Sequence, residues 1–266
     1  MGKLPELNNA QLERLLIIPD PKKETIFGVV GRMEVVLGLF EQHERLYGLM
    51  PFLKTYYFVT KAAAEKYFEK KHYFTNLREY ETLDIYFASL YFKPLLTYLT
   101  KGKRVTPWKT YFDYCSKSDG VPFLQMLLGI NAHINADLWK ALIDLDYKDE
   151  KDFFLVNDVL QDVIPEVIHY MVFSEHDFYS VGGLVMKNFF LSEFHTVIER
   201  WRSEAYLLAR FPRYAGVKTG KQIAIQTEAI AKELISEFSS VSVLPVVTQA
   251  VDRLGKLSVV TPAREI

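Results

Sequence analysis

A lone cysteine, Cys115, rules out a disulfide within the chain and any metal or iron–sulfur centre built on several thiolates. Long basic runs are equally scarce. The densest cluster, Lys101-Gly102-Lys103-Arg104, is short, lies close to Pro107 and reads as a solvated loop, and the formal net charge is −1. A nucleic-acid surface would show a basic stripe, so no nucleic-acid partner is expected. No uninterrupted apolar run reaches the roughly 18 residues of a membrane helix, so no membrane span is expected either. The first residues carry no charged segment followed by an apolar one, and Met1 to Glu6 lacks the Ser or Thr of a myristoylation signal. A cytoplasmic location is the expectation. Period-2 alternation bounded by turn residues is rare, and no repeat, low-complexity tract or Pro/Gly/Ser linker interrupts the chain.

What the chain has is apolar and aromatic surface. Apolar residues make up 49% and charged residues 24%, a globular composition, and 19 Phe, 16 Tyr and 3 Trp supply enough ring surface for a thick core or an apolar pocket. Apolar residues recur at three- and four-residue spacing almost throughout. This spacing predicts helices over 9–18, 26–47, 51–71, 76–100, 107–117, 122–145, 150–173, 184–210, 221–237 and 244–254. Ser118-Asp119-Gly120 before Pro122 marks a helix start, with Pro122 in the first turn, and Thr106 is the expected N-cap before Pro107. Pro165, inside a helical pattern, is expected to kink it. The fold class is therefore all-α, a single multi-helix bundle-like domain of about ten helices. Aromatics thin out after residue 212. The expected division is an aromatic-rich helical domain over 1–212 and a C-terminal helical appendage over 213–266 packed on it.

One stretch departs from that pattern. Gly129-Ile130-Asn131-Ala132-His133-Ile134-Asn135-Ala136-Asp137-Leu138 places four hydrogen-bonding side chains in seven residues inside an otherwise apolar helix. Each costs about 1–3 kcal/mol if buried without a partner, so together they either tie the core or form a site. At 100° per residue they fall into two pairs. Asn131 and Asn135 share the face of Leu124, Leu127, Leu138 and Leu142. His133 and Asp137 point nearly opposite. A carboxylate one turn from an imidazole fixes its tautomer and raises its basicity, which suits a general base or a metal-bound histidine.

Other helices also direct polar groups inward. Asp84 interrupts an aromatic run, Asn157 lies on the face of Phe153, Leu160 and Ile164, Arg202 shares a stripe with Ile198 and Ala205, and Glu34 neighbours Val30 and Leu37. Helical bundles build sites from such side chains on facing helices. Two metal motifs fail for want of partners. Glu166-x-x-His169 has no second copy, and Asn157-Asp158-x-x-Gln161 lacks both its hydroxyl and an upstream aspartate-rich motif. His195 with Glu199 and Glu175 with His176 read as edge pairs, His43 and His72 as solvated, and Cys115 as a packed thiol.

With those residues in view, the chain resembles a bacterial helical family of unknown function. The shared elements are Leu83-Asp84-x-x-Phe87-Ala88-x-x-Tyr91, Asn131-Ala-His133-Ile-Asn135-x-Asp137-Leu138, Asp152-Phe153-x-x-Val156-Asn157-x-x-Leu160 and Arg202-x-x-Ala205-Tyr206. The likeness spans roughly residues 30 to 210 and leaves the segment after Phe211 unmatched. It implies a helical domain and brings no activity or cofactor. The functional expectation comes from the residues: a buried polar site in an aromatic-lined pocket that binds or acts on a small, largely apolar molecule. His133 is the acid/base or ligand, Asp137 orients it, and Asp84 is a second carboxylate. Asn131, Asn135 and Asn157 position the ligand, with Arg202 and Glu34 as further polar contacts. A metal held by His133 and carboxylates stays open, and neither a cofactor nor an oligomeric state is legible. The alternative is a non-catalytic protein whose buried polar groups form a structural network.

Overall fold

The computed structural model describes residues 8–69, 73–117, 119–173, 195–211 and 220–239. Among them every regular element is helical: α1 (Asn9–Leu15), α2 (Ile26–Glu41), a 3₁₀ turn (Glu44–Leu49), α3 (Met50–Glu69), α4 (Leu77–Lys101) and α5 (Lys109–Cys115). A central rod then runs through α6 (Pro122–Ala132), a π-helical segment (His133–Leu138) and α7 (Trp139–Asp144). After it come α8 (Glu150–Phe173), α9 (His195–Arg210) and α10 (Gly220–Ser239). The expected all-α architecture is the observed one. The expected helices over 184–194 and 244–254, Ser180 to Gly183, His72, and the Glu175–His176 pair lie outside the described residues.

Helix ends follow local chemistry. Asn8 closes a capping box with Gln11, Thr25 caps α2 and Asn76 caps α4. Gly102 ends α4 in the left-handed region at φ 62°. Pro122 occupies the first turn of α6 as expected, and α8 continues through Pro165. Two expectations need correction. The helix over 26–47 stops at Glu41, and a separate 3₁₀ turn carries Glu44 to Leu49. Thr106 does not cap α5, which starts at Lys109 without a local side-chain cap. The acceptor comes from 118 residues away. Glu228 on α10 takes the backbone N–H of Lys109 at 2.9 Å, the N–H of Thr110 and the Thr110 hydroxyl. These are the donors that a helix start leaves without intrahelical partners.

The central rod is covered on nearly every side. Helix α3 packs on α6, while α4, α9 and α10 all meet the π segment. From Phe123 to Leu138 every residue is buried. Trp108, Trp201, Tyr91, Tyr111 and Phe52 are fully enclosed around it. Close approach of α3 depends on Gly129, because a Cβ there would lie 2.2 Å from Phe52 Cγ. Among the described residues no helix is long and apolar enough to cross a membrane.

Gly129→Ala should therefore push Phe52 off the rod and destabilise the fold by about 1–3 kcal/mol, the usual cost of overpacking. Urea unfolding monitored by circular dichroism measures this, and an unchanged midpoint would show that α3 does not need the contact.

Candidate functional site

The π segment separates the two polar pairs. Asn131 and Asn135 face α10: Asn131 Nδ2 donates to the Thr227 carbonyl at 2.9 Å, and Asn135 Nδ2 donates to Asn131 Oδ1 at 2.9 Å. Both residues are fully buried, as is Thr227. They latch the C-terminal helix onto the rod and do not reach the cavity described below.

His133 and Asp137 face the other way, into a shell of rings. The His133 imidazole stacks on Phe87 at 3.6 Å and 7°, and Tyr56 meets it edge-on at 4.6 Å. Phe52 and Trp108 complete the shell at 5.7 and 5.8 Å. Nδ1 lies 3.1 Å from Asp137 Oδ2, and that same oxygen accepts the Trp108 indole N–H at 3.0 Å. Burial in this apolar shell holds the imidazole well below the ordinary histidine range and pushes Asp137 well above the ordinary carboxylate range. The indole N–H works against that second shift, as does the more distant Lys140. Both groups are thus driven toward neutral forms. The neutral pair has two arrangements: the Asp137 O–H donates to Nδ1 with the imidazole N–H on Nε2, or Nδ1–H donates to Asp137 and Nε2 is an acceptor.

Nε2 has no hydrogen-bond partner in the protein although it is buried. His133 is among the residues that line a cavity of about 90 Å³ between α3, α4, α6, the π segment, α8 and α9. That wall is almost wholly apolar, with Ile130, Leu160 and Ile198 among its residues. Its polar members are Thr55, Tyr56, His133, His195 and Arg202. The Thr55 hydroxyl is spent on the Pro51 carbonyl. The Tyr56 hydroxyl is buried without a partner, and the Thr60 hydroxyl near it on the same helix lies outside hydrogen-bond geometry. His195 contacts the Asn157 carbonyl at 3.3 Å and Glu199 at 3.5 Å, so it borders the cavity rather than sitting at a bare edge.

Arg202 enters from α9. Its Nε donates to Asn157 Oδ1 and its Nη2 to the Phe153 carbonyl, each at 2.8 Å, and the guanidinium lies over the Phe153 ring. Asn157 therefore acts on the site by holding Arg202. Asp84 is not part of the cavity wall. Its Oδ2 is buried without a partner, and burial raises its pKa to about 7, helped by Glu81 and opposed by Arg202. Glu34 is exposed on α2, where it accepts the Tyr57 hydroxyl at 2.7 Å, away from the cavity. Glu166 and His169 are both exposed on α8, and Cys115 is a buried thiol whose pKa burial raises. Among the described residues no three His, Cys, Asp or Glu side chains converge on a point that could hold a metal.

Tyr56, Trp108 and Phe52 carry much of this site without having stood out in the sequence, whereas Phe87 belongs to the shared Leu83 to Tyr91 element. Phe52, Tyr56 and Val59 do share one face of α3 at helical spacing, the only signal that marks them. Glu228 is similar. It sits beside Thr227 on the stripe of Ile223, Ile230 and Leu234, a carboxylate bordering an apolar face.

Asp84 yields a pH test. Its proton is held more tightly in the folded chain than in the unfolded one, so it costs stability as pH rises from about 4 to about 7, and no further above that. Asp84→Asn removes this dependence. Relative to the wild type, the variant should gain about 1–2 kcal/mol between pH 4.5 and pH 8, a figure discounted from the full shift because the residue is only half-buried. Urea titrations at the two pH values decide it, and a constant difference would place the Asp84 carboxyl in an ordinary solvated environment.

Comparison with curated proteins and with solved structures gives no match. A family model does match, over residues 26–253. It runs well past Phe211, so the segment that the sequence motifs leave unmatched falls within it up to residue 253. The chain belongs to DUF5995, a family of unknown function.

Proposed function

We propose that this protein binds a small, largely apolar molecule in the cavity beside the π segment and holds the molecule's one polar group against His133. The observation that carries this reading is His133 Nε2, a buried ring nitrogen without a protein partner, in a residue that lines an otherwise apolar cavity. A buried polar atom left unpaired costs about 1–3 kcal/mol, and a ligand atom at that position would recover it. The cavity volume of about 90 Å³ corresponds to roughly six to eight water-sized positions, and so to a ligand of about that many heavy atoms. A cytoplasmic metabolite of that size is the ligand class this reading expects.

The His133–Asp137 pair gives the site acid/base capacity. If Nε2 gives its proton to a ligand, the Asp137 proton can pass to Nδ1, leaving a neutral imidazole of the other tautomer beside a carboxylate that Trp108 already hydrogen-bonds. The second reading, a purely structural network, has its support on the opposite face. Asn131, Asn135 and Thr227 join the rod to α10 and are not among the residues that line this cavity. Those two asparagines belong to the scaffold in this proposal, and the ligand contacts lie with His133, Tyr56 and Arg202.

Phenol and toluene, nearly equal in shape, separate the two readings by isothermal titration calorimetry. Phenol should bind the wild type with a Kd of about 0.1–1 mM, within the range that small ligands of this size reach. His133→Phe should weaken phenol at least tenfold while toluene stays within threefold. Equal loss of both ligands in a folded variant, or no binding of either to the wild type, would contradict the proposal.

A further inference from the structure

The polar residues that line the cavity include Arg202, which carries a charge that its neighbours do not neutralise. Arg202 is 6% exposed, and both of its side-chain hydrogen bonds end on neutral oxygens, those of Asn157 and Phe153. Its planar contact is also neutral, the Phe153 ring 4.6 Å away. A guanidinium has five N–H donors, so these two bonds leave it capacity to spare. Among the described residues no carboxylate forms an ion pair with it. Glu199 and Asp84 act on it only at longer range, and Asp84 is largely protonated up to about pH 6. A cation taken out of water without a counter-charge is costly, and an anion delivered by a ligand meets it where the cavity wall is otherwise greasy.

The same wall presents two further groups without partners, the Tyr56 hydroxyl and His133 Nε2. Guanidinium and phenol can both donate to one ligand, and the imidazole joins them in the tautomer that carries its N–H on Nε2. An alcohol or an amine matches such a set poorly, because each brings donors of its own. A carboxylate brings two oxygens, no donors and a planar edge that guanidinium pairs with well. Given a ligand in this cavity, as proposed above, we infer that it is a small monocarboxylate with a compact apolar body, its oxygens facing Arg202, Tyr56 and His133 and its hydrocarbon part lying among Ile130, Leu160 and Ile198. Arg202 is then the specificity-determining residue, and Asn157 positions it.

The test compares three isosteres, 3-methylbutanoate, 3-methylbutanamide and 3-methylbutanol, by titration calorimetry on the full chain at pH 6, where the acid is ionised and Asp84 is largely protonated. The acid should bind at least tenfold more tightly than either neutral compound. Arg202→Gln should reduce that preference to within threefold while alcohol affinity holds, and Arg202→Lys, which keeps the charge but not the fork, should restore part of it. If Arg202→Gln does not fold, the ratio in the wild type decides alone. Amide or alcohol bound as tightly as the acid would overturn the carboxylate assignment, and the ligand-binding reading would survive if the alcohol still lost affinity in His133→Phe. Binding of none of the three at millimolar concentration would overturn both.

Discussion

Three side chains meet at one oxygen in the centre of this molecule. Asp137 Oδ2 receives the Trp108 indole N–H and contacts His133 Nδ1, which fixes the imidazole in its ring shell and leaves Nε2 without a protein partner. Without the carboxyl the imidazole would have both nitrogens buried and unpaired, and without Trp108 the carboxyl would depend on His133 alone. The arrangement also sets the chemistry. A fully apolar shell tolerates these groups only in neutral form, so the proton shared across Asp137 and His133 decides what Nε2 can offer a ligand.

A single rod serves two purposes. Residues four apart lie about one turn apart on it, so Asn131 contacts Asn135 on one face and His133 contacts Asp137 on the other. One pair looks toward α10 and the other toward α3, α4 and Trp108, so scaffold and site share the seven residues from Asn131 to Asp137. Gly129 brings α3 close enough for Phe52 and Tyr56 to close the shell. Glu228 ties α10 to the start of α5, next to Trp108. The C-terminal helix is therefore joined to the site's foundations by two polar contacts, although the fading of aromatics after residue 212 marks it as peripheral.

The sequence disclosed the parts that depend on periodicity. Helix positions, the buried rod and the opposed Asn and His/Asp pairs all follow from three- and four-residue spacing, and the order of helices appears as expected wherever the chain is described. Non-local relations were hidden. No spacing rule reports that Glu228 caps a helix 118 residues earlier, or that Trp108 reaches Asp137. Tyr56 looked like one aromatic among many because its burial was visible and its lack of a hydrogen-bond partner was not. Asp84 and Glu34 show the converse. Both carry polar groups on apolar stripes, yet one lies behind the cavity wall and the other reaches solvent beside Tyr57. A stripe identifies the face of a helix, whereas membership of a site depends on which neighbour covers that face.

Nitrogen-15 NMR of the histidine side chains tests the central claim most directly. His133 should remain neutral from pH 8 down to pH 5, with unequal Nδ1 and Nε2 shifts, and 3-methylbutanoate should move Nε2 while leaving the Nδ1 contact to Asp137 in place. A ring that titrates near the ordinary histidine value of 6.5, with an Nε2 signal indifferent to added ligand, would contradict the account.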